Sequence, residues 1–196
     1  VQEKRTSGEP TGGGHRAPRA DARRNRERVL IAAREAFAAE GISVPLDEIA
    51  RRAGVGPGTV YRHFPTKEAL FQAAITDNVE RMIEYARTLT TADDPGAAFF
   101  ELLDRMVAEG GVKRDLAEAL GGGHTVESSG PTKELVIEID ALLHRAQDRG
   151  AVRADIDTED LMRILKGAFL AAHATGADED QRARTFAVVF DGLRAR

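Results

Sequence analysis

Residues 46–64 read LDEIARRAGVGPGTVYRHF, and this stretch decides the fold. Residues 46–53 form a short helix: Pro45 stands near its start, and Asp47 and Glu48 suit its first turn. Gly54 ends it. Pro57 opens a second helix over residues 57–64, and Pro65 closes it by disfavouring helical dihedrals in the residue before it. Ile49, Ala50, Val55, Val60 and Phe64 are placed to hold the pair at a fixed angle, and the small Ala50 permits a close crossing. This suits a helix-turn-helix, whose second helix enters a major groove, or equally a corner of an ordinary helical core.

The chemistry of the second helix separates the two. Thr59, Tyr61, Arg62 and His63 crowd one short element. Each can donate a hydrogen bond to a phosphate, and Arg62 can also present two donors to a guanine edge. Gly56 and Gly58 leave room for close approach. At Lys67, which opens the next helix, a phosphate would meet both an ammonium group and helix-end amides.

Outward from this segment the chain reads as all-α, with about nine helices. Residues 21–40 carry Val29, Leu30, Ala33 and Phe37 at helical spacing and stop at Gly41. Residues 67–88 follow Thr66 as N-cap, with an apolar stripe through Leu70, Phe71, Ala74, Ile75, Val79 and Met82. A further helix starts near Pro95 and breaks at Gly110, and a short one is expected over 112–120. Residues 121–130, GGGHTVESSG, have no periodicity and are expected to be a mobile loop. Three helices follow, over about 131–149, 158–174 and 178–193. Residues 1–20, rich in Gly, Pro, Arg and Thr, have no apolar core and are expected to be a disordered tail rather than a secretory signal. The layout is then a helix-turn-helix head over 21–66 and a helical ligand-binding and dimerisation body over 67–196.

The net charge of −4 hides an asymmetry. Residues 1–66 hold 12 Lys/Arg against 8 Asp/Glu, and residues 67–196 hold 16 against 24. A basic head on an acidic body suits a polyanion bound at one end. With no cysteine there are no disulfides and no thiolate chemistry, which fits a reducing compartment and a cytoplasmic location. No apolar run approaches the ~20 residues that span a bilayer. No P-loop, G-x-S-x-G or dinucleotide motif is present, and the acidic pairs Asp93–Asp94 and Glu159–Asp160 sit at helix starts, where capping accounts for them. An enzyme is therefore not expected. His124, His144 and His173 are too scattered to argue for a metal, and no cofactor is expected.

Residues 29–74 resemble the DNA-binding domain of the TetR (tetracycline-repressor) family. The resemblance is carried by AGVGPGTVYRHFPTKEALFQA, residues 53–73: Ala-Gly-Val, a variable pair, Gly-Thr, an aliphatic residue, Tyr, a variable residue, His-Phe and, two residues later, Lys-Glu-Ala-Leu. It implies a three-helix DNA-binding head on an all-helical body that dimerises and senses a small ligand. Thr59 and Tyr61 then match phosphate contacts, Pro57 and Arg62 match positions that often face bases, His63 lies close to the backbone and Lys67 is a phosphate-binding lysine. Gly56 departs from the serine common among relatives, and Pro57 has no side-chain donor, so Arg62 is the best candidate for direct readout. Other roles stay open: Tyr61 and His63 also suit packing, Thr59 local backbone bonding, and Arg62 a phosphate. Arg51 suits a phosphate clamp or a solvated face. Arg24, in a basic run from Arg16 to Arg28, suits an arm on DNA.

In the body, Leu161, Leu165, Phe169, Phe186, Val189 and Phe190 concentrate on the last two helices. The resemblance implies that these pair with a second subunit as a four-helix bundle and present two heads to a palindromic operator. Met82, Tyr85, Phe99 and Leu103 are candidate contacts for an unknown, largely apolar effector, as are Met106, Leu143, Phe169 and His173; all also suit ordinary core. The function expected is a sequence-specific transcriptional regulator, a ligand-responsive repressor acting as a homodimer on double-stranded DNA. The alternative is a helical protein-interaction or architectural DNA-binding protein without effector sensing.

Overall fold

The computed structural model describes residues 17–109 and 130–195, the side chains of 17–19, 173 and 174 excepted. These residues form eight helices: α1 (Ala17–Glu40), α2 (Leu46–Ala53), α3 (Pro57–His63), α4 (Lys67–Leu89), α5 (Pro95–Glu109), α6 (Gly130–Asp148), α7 (Thr158–Ala174) and α8 (Glu179–Leu193). The helix expected over 112–120 and the glycine loop up to residue 129 lie outside the described residues. No described helix is long and apolar enough to cross a membrane.

α1 begins four residues before the start expected from its apolar spacing and takes up the end of the segment expected to be a tail. Pro18 falls in its first turn, where the missing N–H breaks no helical bond. Further along, α1 buries Val29, Leu30, Ala33, Ala36 and Phe37. α2 and α3 pack across it through Ile49, Ala50, Val60 and Phe64. Between them Gly54 takes the left-handed conformation (φ 62°, ψ 38°), and the N–H of Val55 bonds the Ala50 carbonyl at 3.0 Å. α3 ends where Phe64 turns extended before Pro65.

α4 is capped by Thr66, whose hydroxyl accepts from the Ala69 N–H at 3.1 Å. Its first turns pack on α1, with Phe71 edge-on to Phe37 at 4.7 Å. Its remainder packs most extensively on α6, where Arg87 bridges Glu134 and Glu138, and α5 packs against both. One continuous apolar core therefore runs from α1 through α4 into the body. α8 opens with a capping box of Asp178 and Gln181. Its C-terminal end is tied to the α6–α7 connection by an isolated bridge between Val152 and Arg194. Gly96, at the start of α5, meets that connection so closely that a Cβ would lie 2.5 Å from the Ala151 Cβ.

Candidate DNA interface and body groove

α3 buries one residue, Val60. Pro57, Gly58, Tyr61 and Arg62 lie on its exposed side, and Thr59 and His63 are half-buried at its edges. This follows from a seven-residue helix anchored at one point: Tyr61 and Arg62 fall away from the core, and Thr59 and His63 flank the buried Val60. The side chains of Tyr61 and Arg62 have no partner among the described residues, and Tyr61 is 49% exposed. His63 stacks at a tilt beside Phe64, 6.2 Å between centroids. The N–H of Thr59 bonds the Gly56 carbonyl at 2.9 Å, closing the first turn.

Three cations from outside the helix pair hold its orientation. Arg28 of α1 donates to the Gly54 carbonyl at 2.9 Å. Arg26 places its guanidinium 5.6 Å from the centroid of the Phe64 ring. Lys67 donates from Nζ to the carbonyls of Ile42 (3.0 Å) and Ser43 (3.2 Å), tying the start of α4 to the α1–α2 connection. An ammonium has three donors, so one remains for a phosphate. In sequence Lys67 suits a phosphate ligand or a solvated lysine; its bonds to the Ile42 and Ser43 carbonyls and the brace made by Arg26 and Arg28 come from the packing of distant residues.

Arg51 and Arg52 are both engaged. Glu48 accepts from Arg51 Nε (2.8 Å) and Nη2 (2.6 Å) and from Arg52 Nε (2.7 Å), and Arg52 also reaches Glu40. The hydrogen bonds from Arg51, then those from Arg52, hold the Glu48 carboxyl at about 2, below its usual 4.5. Arg24 pairs with Asp21 on the exposed side of α1. Arg16 lies outside the described residues, as does the side chain of Arg19.

In the body the eight candidate effector contacts separate. Met82, Phe99, Leu103 and Leu143 are buried in the continuous core. Tyr85 donates its hydroxyl proton to Glu101 while the Arg105 guanidinium lies 4.2 Å from its ring centroid; the bond to Glu101 and burial raise its pKa. Met106 is half-buried against the core. The side chain of His173 is outside the described residues. Among those with described side chains, Phe169 alone lines an open groove of about 890 Å3 between α1, α4, α5, α7 and α8. Asn78 and Arg182 also line it, and neither is among the eight candidate contacts. Asn78 had a signal, since it is a polar residue inside the apolar stripe of α4.

A braced pair of short helices with an exposed donor face, continuous with a helical body, defines a helix-turn-helix DNA-binding protein. Comparison with known proteins identifies which kind. Residues 29–74 match the family of bacterial regulatory proteins of the tetR type, and residues 94–195 match the C-terminal domain of SbtR-like transcriptional regulators. The crystal structure of a TetR transcription regulatory protein from Mycobacterium vanbaalenii is 43% identical, with a TM-score of 0.70, over 90% of this chain and 99% of that one. A TetR transcriptional regulator from Streptomyces coelicolor is 33% identical, with a TM-score of 0.71, over 87% and 98%. The transcriptional regulator UidR of Escherichia coli is 29% identical over 89% of this chain and 92% of its own. The chain belongs to the TetR family and is a DNA-binding transcriptional regulator.

Proposed function

We propose that the chain is a cytoplasmic, ligand-responsive repressor that binds a palindromic operator as a homodimer, with a head over 21–66 and a body over 67–196. The observation that carries this reading is the pairing of an unengaged Arg62 and Tyr61 on α3 with the contacts of Arg28 to Gly54 and of Arg26 to Phe64, which tie the turn before α3 and the residue after it to α1. Donors that must meet fixed atoms in a groove gain from being positioned beforehand, because less ordering entropy is lost on binding. Arg62 reads a base edge, and Thr59, Tyr61, His63 and the third donor of Lys67 hold phosphates. Pro57 offers an apolar contact. Arg51 and Arg24 join the phosphate contacts by exchanging their carboxylate partners, Glu48 and Asp21, for a phosphate.

Dimerisation is supported by the outer faces of α7 and α8, where Ile164, Leu170 and Val188 are 41%, 62% and 72% exposed. An effector acts by favouring one separation of the two heads, which requires that it bind the two arrangements with different affinities.

Selection of bound duplexes from a random pool tests the reading. The expected product is a two-fold-symmetric site bound with salt-sensitive affinity. Tight binding without sequence enrichment would mark an architectural protein instead, and absence of duplex affinity at low salt would remove DNA from the function altogether.

A further inference from the structure

The groove between α1, α4, α5, α7 and α8 has a composition that a merely imperfect joint between helices would not need. Its volume of about 890 Å3 is in the range that takes a small organic ligand. Its floor is aromatic: Phe186 lies 4.6 Å from Phe169 and 6.2 Å from Phe190, centroid to centroid. Against this floor stands Asn78, only 7% exposed, whose side-chain amide has no hydrogen-bond partner among the described residues. A buried amide left unpaired is destabilising, and such groups are retained where something else satisfies them. Arg182, half-buried as a residue, likewise has no side-chain partner among the described residues. Arg34, also on the wall, ties α1 to α4 through Asp77.

The remaining charges lie at the rim or are already engaged. Glu109 pairs with Arg105, and Asp191 lies 3.8 Å from Arg194. Glu35, Asp104 and Glu179 are exposed at the rim with Arg81. The groove wall therefore offers two donors without partners among the described residues, an amide and a guanidinium, beside aromatic rings, while its exposed charged residues, Glu35, Asp104 and Glu179 against Arg81, are net negative.

We infer that this groove is the effector site and that it takes an aromatic monocarboxylate: the ring system packs on Phe169 and Phe186, and the carboxylate accepts from Asn78 and Arg182. An aromatic ligand suits an aromatic floor. One carboxylate satisfies the two donors, and the rim carboxylates oppose a second negative charge. The site rests on the ligand-responsive reading above and names its chemistry. It also supplies the coupling, because α1 of the head and α4 both form its wall, so an occupant bears directly on the joint that Arg34 and Asp77 make.

Calorimetric titration of the full chain with naphthylacetate, without DNA, tests the inference. Binding is expected to be at least tenfold tighter than that of the uncharged naphthylethanol and of a naphthalenedicarboxylate. Arg182→Gln, at a half-buried position, should keep the wild-type melting temperature and weaken naphthylacetate at least tenfold. Asn78→Leu should do the same, and if that variant does not fold, Arg182→Gln carries the test. Failure of naphthylacetate to bind, equal binding of the alcohol, or unchanged affinity in Arg182→Gln overturns the proposal. A chain that binds naphthylacetate but enriches no duplex refutes the operator reading alone. One that enriches a palindrome but ignores naphthylacetate refutes this site alone.

Discussion

Arg62 and Arg51 are both exposed arginines on the helix pair, yet their surroundings differ. Arg62 has no partner among the described residues, whereas Arg51 is held bidentately by Glu48. Arg62→Ala should weaken the selected operator by roughly 1–3 kcal/mol and relax preference at one base position, leaving random duplex nearly unaffected. Competition binding on both duplexes checks this, and equal losses would make Arg62 a phosphate ligand. Glu48 gives a pH prediction. Its carboxyl is held at about 2 against the usual 4.5, a depressed value, so its contribution to stability is complete above 4.5 and is lost as pH falls toward 2. In thermal melts, the gap between wild type and Glu48→Gln should be widest above pH 4.5 and close toward pH 2; a constant gap would contradict the pairing. The donor types on α3 were legible in the sequence because a short helix with one apolar anchor has only one way to face. The link from Arg52 to Glu40 was not, because Glu40 comes from another helix, whereas the bonds of both arginines to Glu48 are local to α2.

At the scale of the element, the turn between α2 and α3 rests on two glycines with opposite tolerances. Gly54 is left-handed, and a Cβ there would lie 2.4 Å from Arg28 Nη2. Gly54→Ala should therefore destabilise the chain by about 1–2 kcal/mol, through backbone strain and the displaced Arg28 brace. A chain of this size would lose roughly 2–8 °C in Tm by calorimetry. Gly56 has an extended backbone (φ −69°, ψ 146°), open space around its missing Cβ and the N-cap position of α3. Gly56→Ser should leave Tm unchanged or slightly raised and tighten duplex binding a few-fold by adding a hydroxyl for phosphate, measured as Kd at fixed salt. Loss of affinity would show that the backbone of Gly56 must itself approach the DNA. Helix ends like these were readable because Gly and Pro act through local dihedrals. The early start of α1 carried no apolar signal, because residues 20–28 bury none of their side chains and the helical spacing begins only at Val29.

The whole molecule turns on two faces of α8. Arg182, Phe186 and Phe190 look into the groove, and Val188 lies on the opposite, exposed side. Val188→Glu combined with Leu170→Glu should give a folded monomer by sedimentation. That monomer should bind a full palindrome far more weakly than wild type while keeping its affinity for a half-site duplex. A dimer that persists would place the interface elsewhere.

By itself, the sequence determined the all-α class, the helix pair at 46–64 and the donor types that α3 carries on its exposed side. Each depends on spacing and turn chemistry within one or two helical turns. Only the tertiary structure decided that Met82, Phe99, Leu103 and Leu143 close a core while Phe169 meets Asn78 and Arg182 across a groove, and that Arg26, Arg28 and Lys67 brace the helix pair. An apolar residue on a helix faces either a neighbouring helix or a cavity at the same periodicity. Which of the two it meets is set by how distant helices cross, and no local pattern in the chain encodes that crossing.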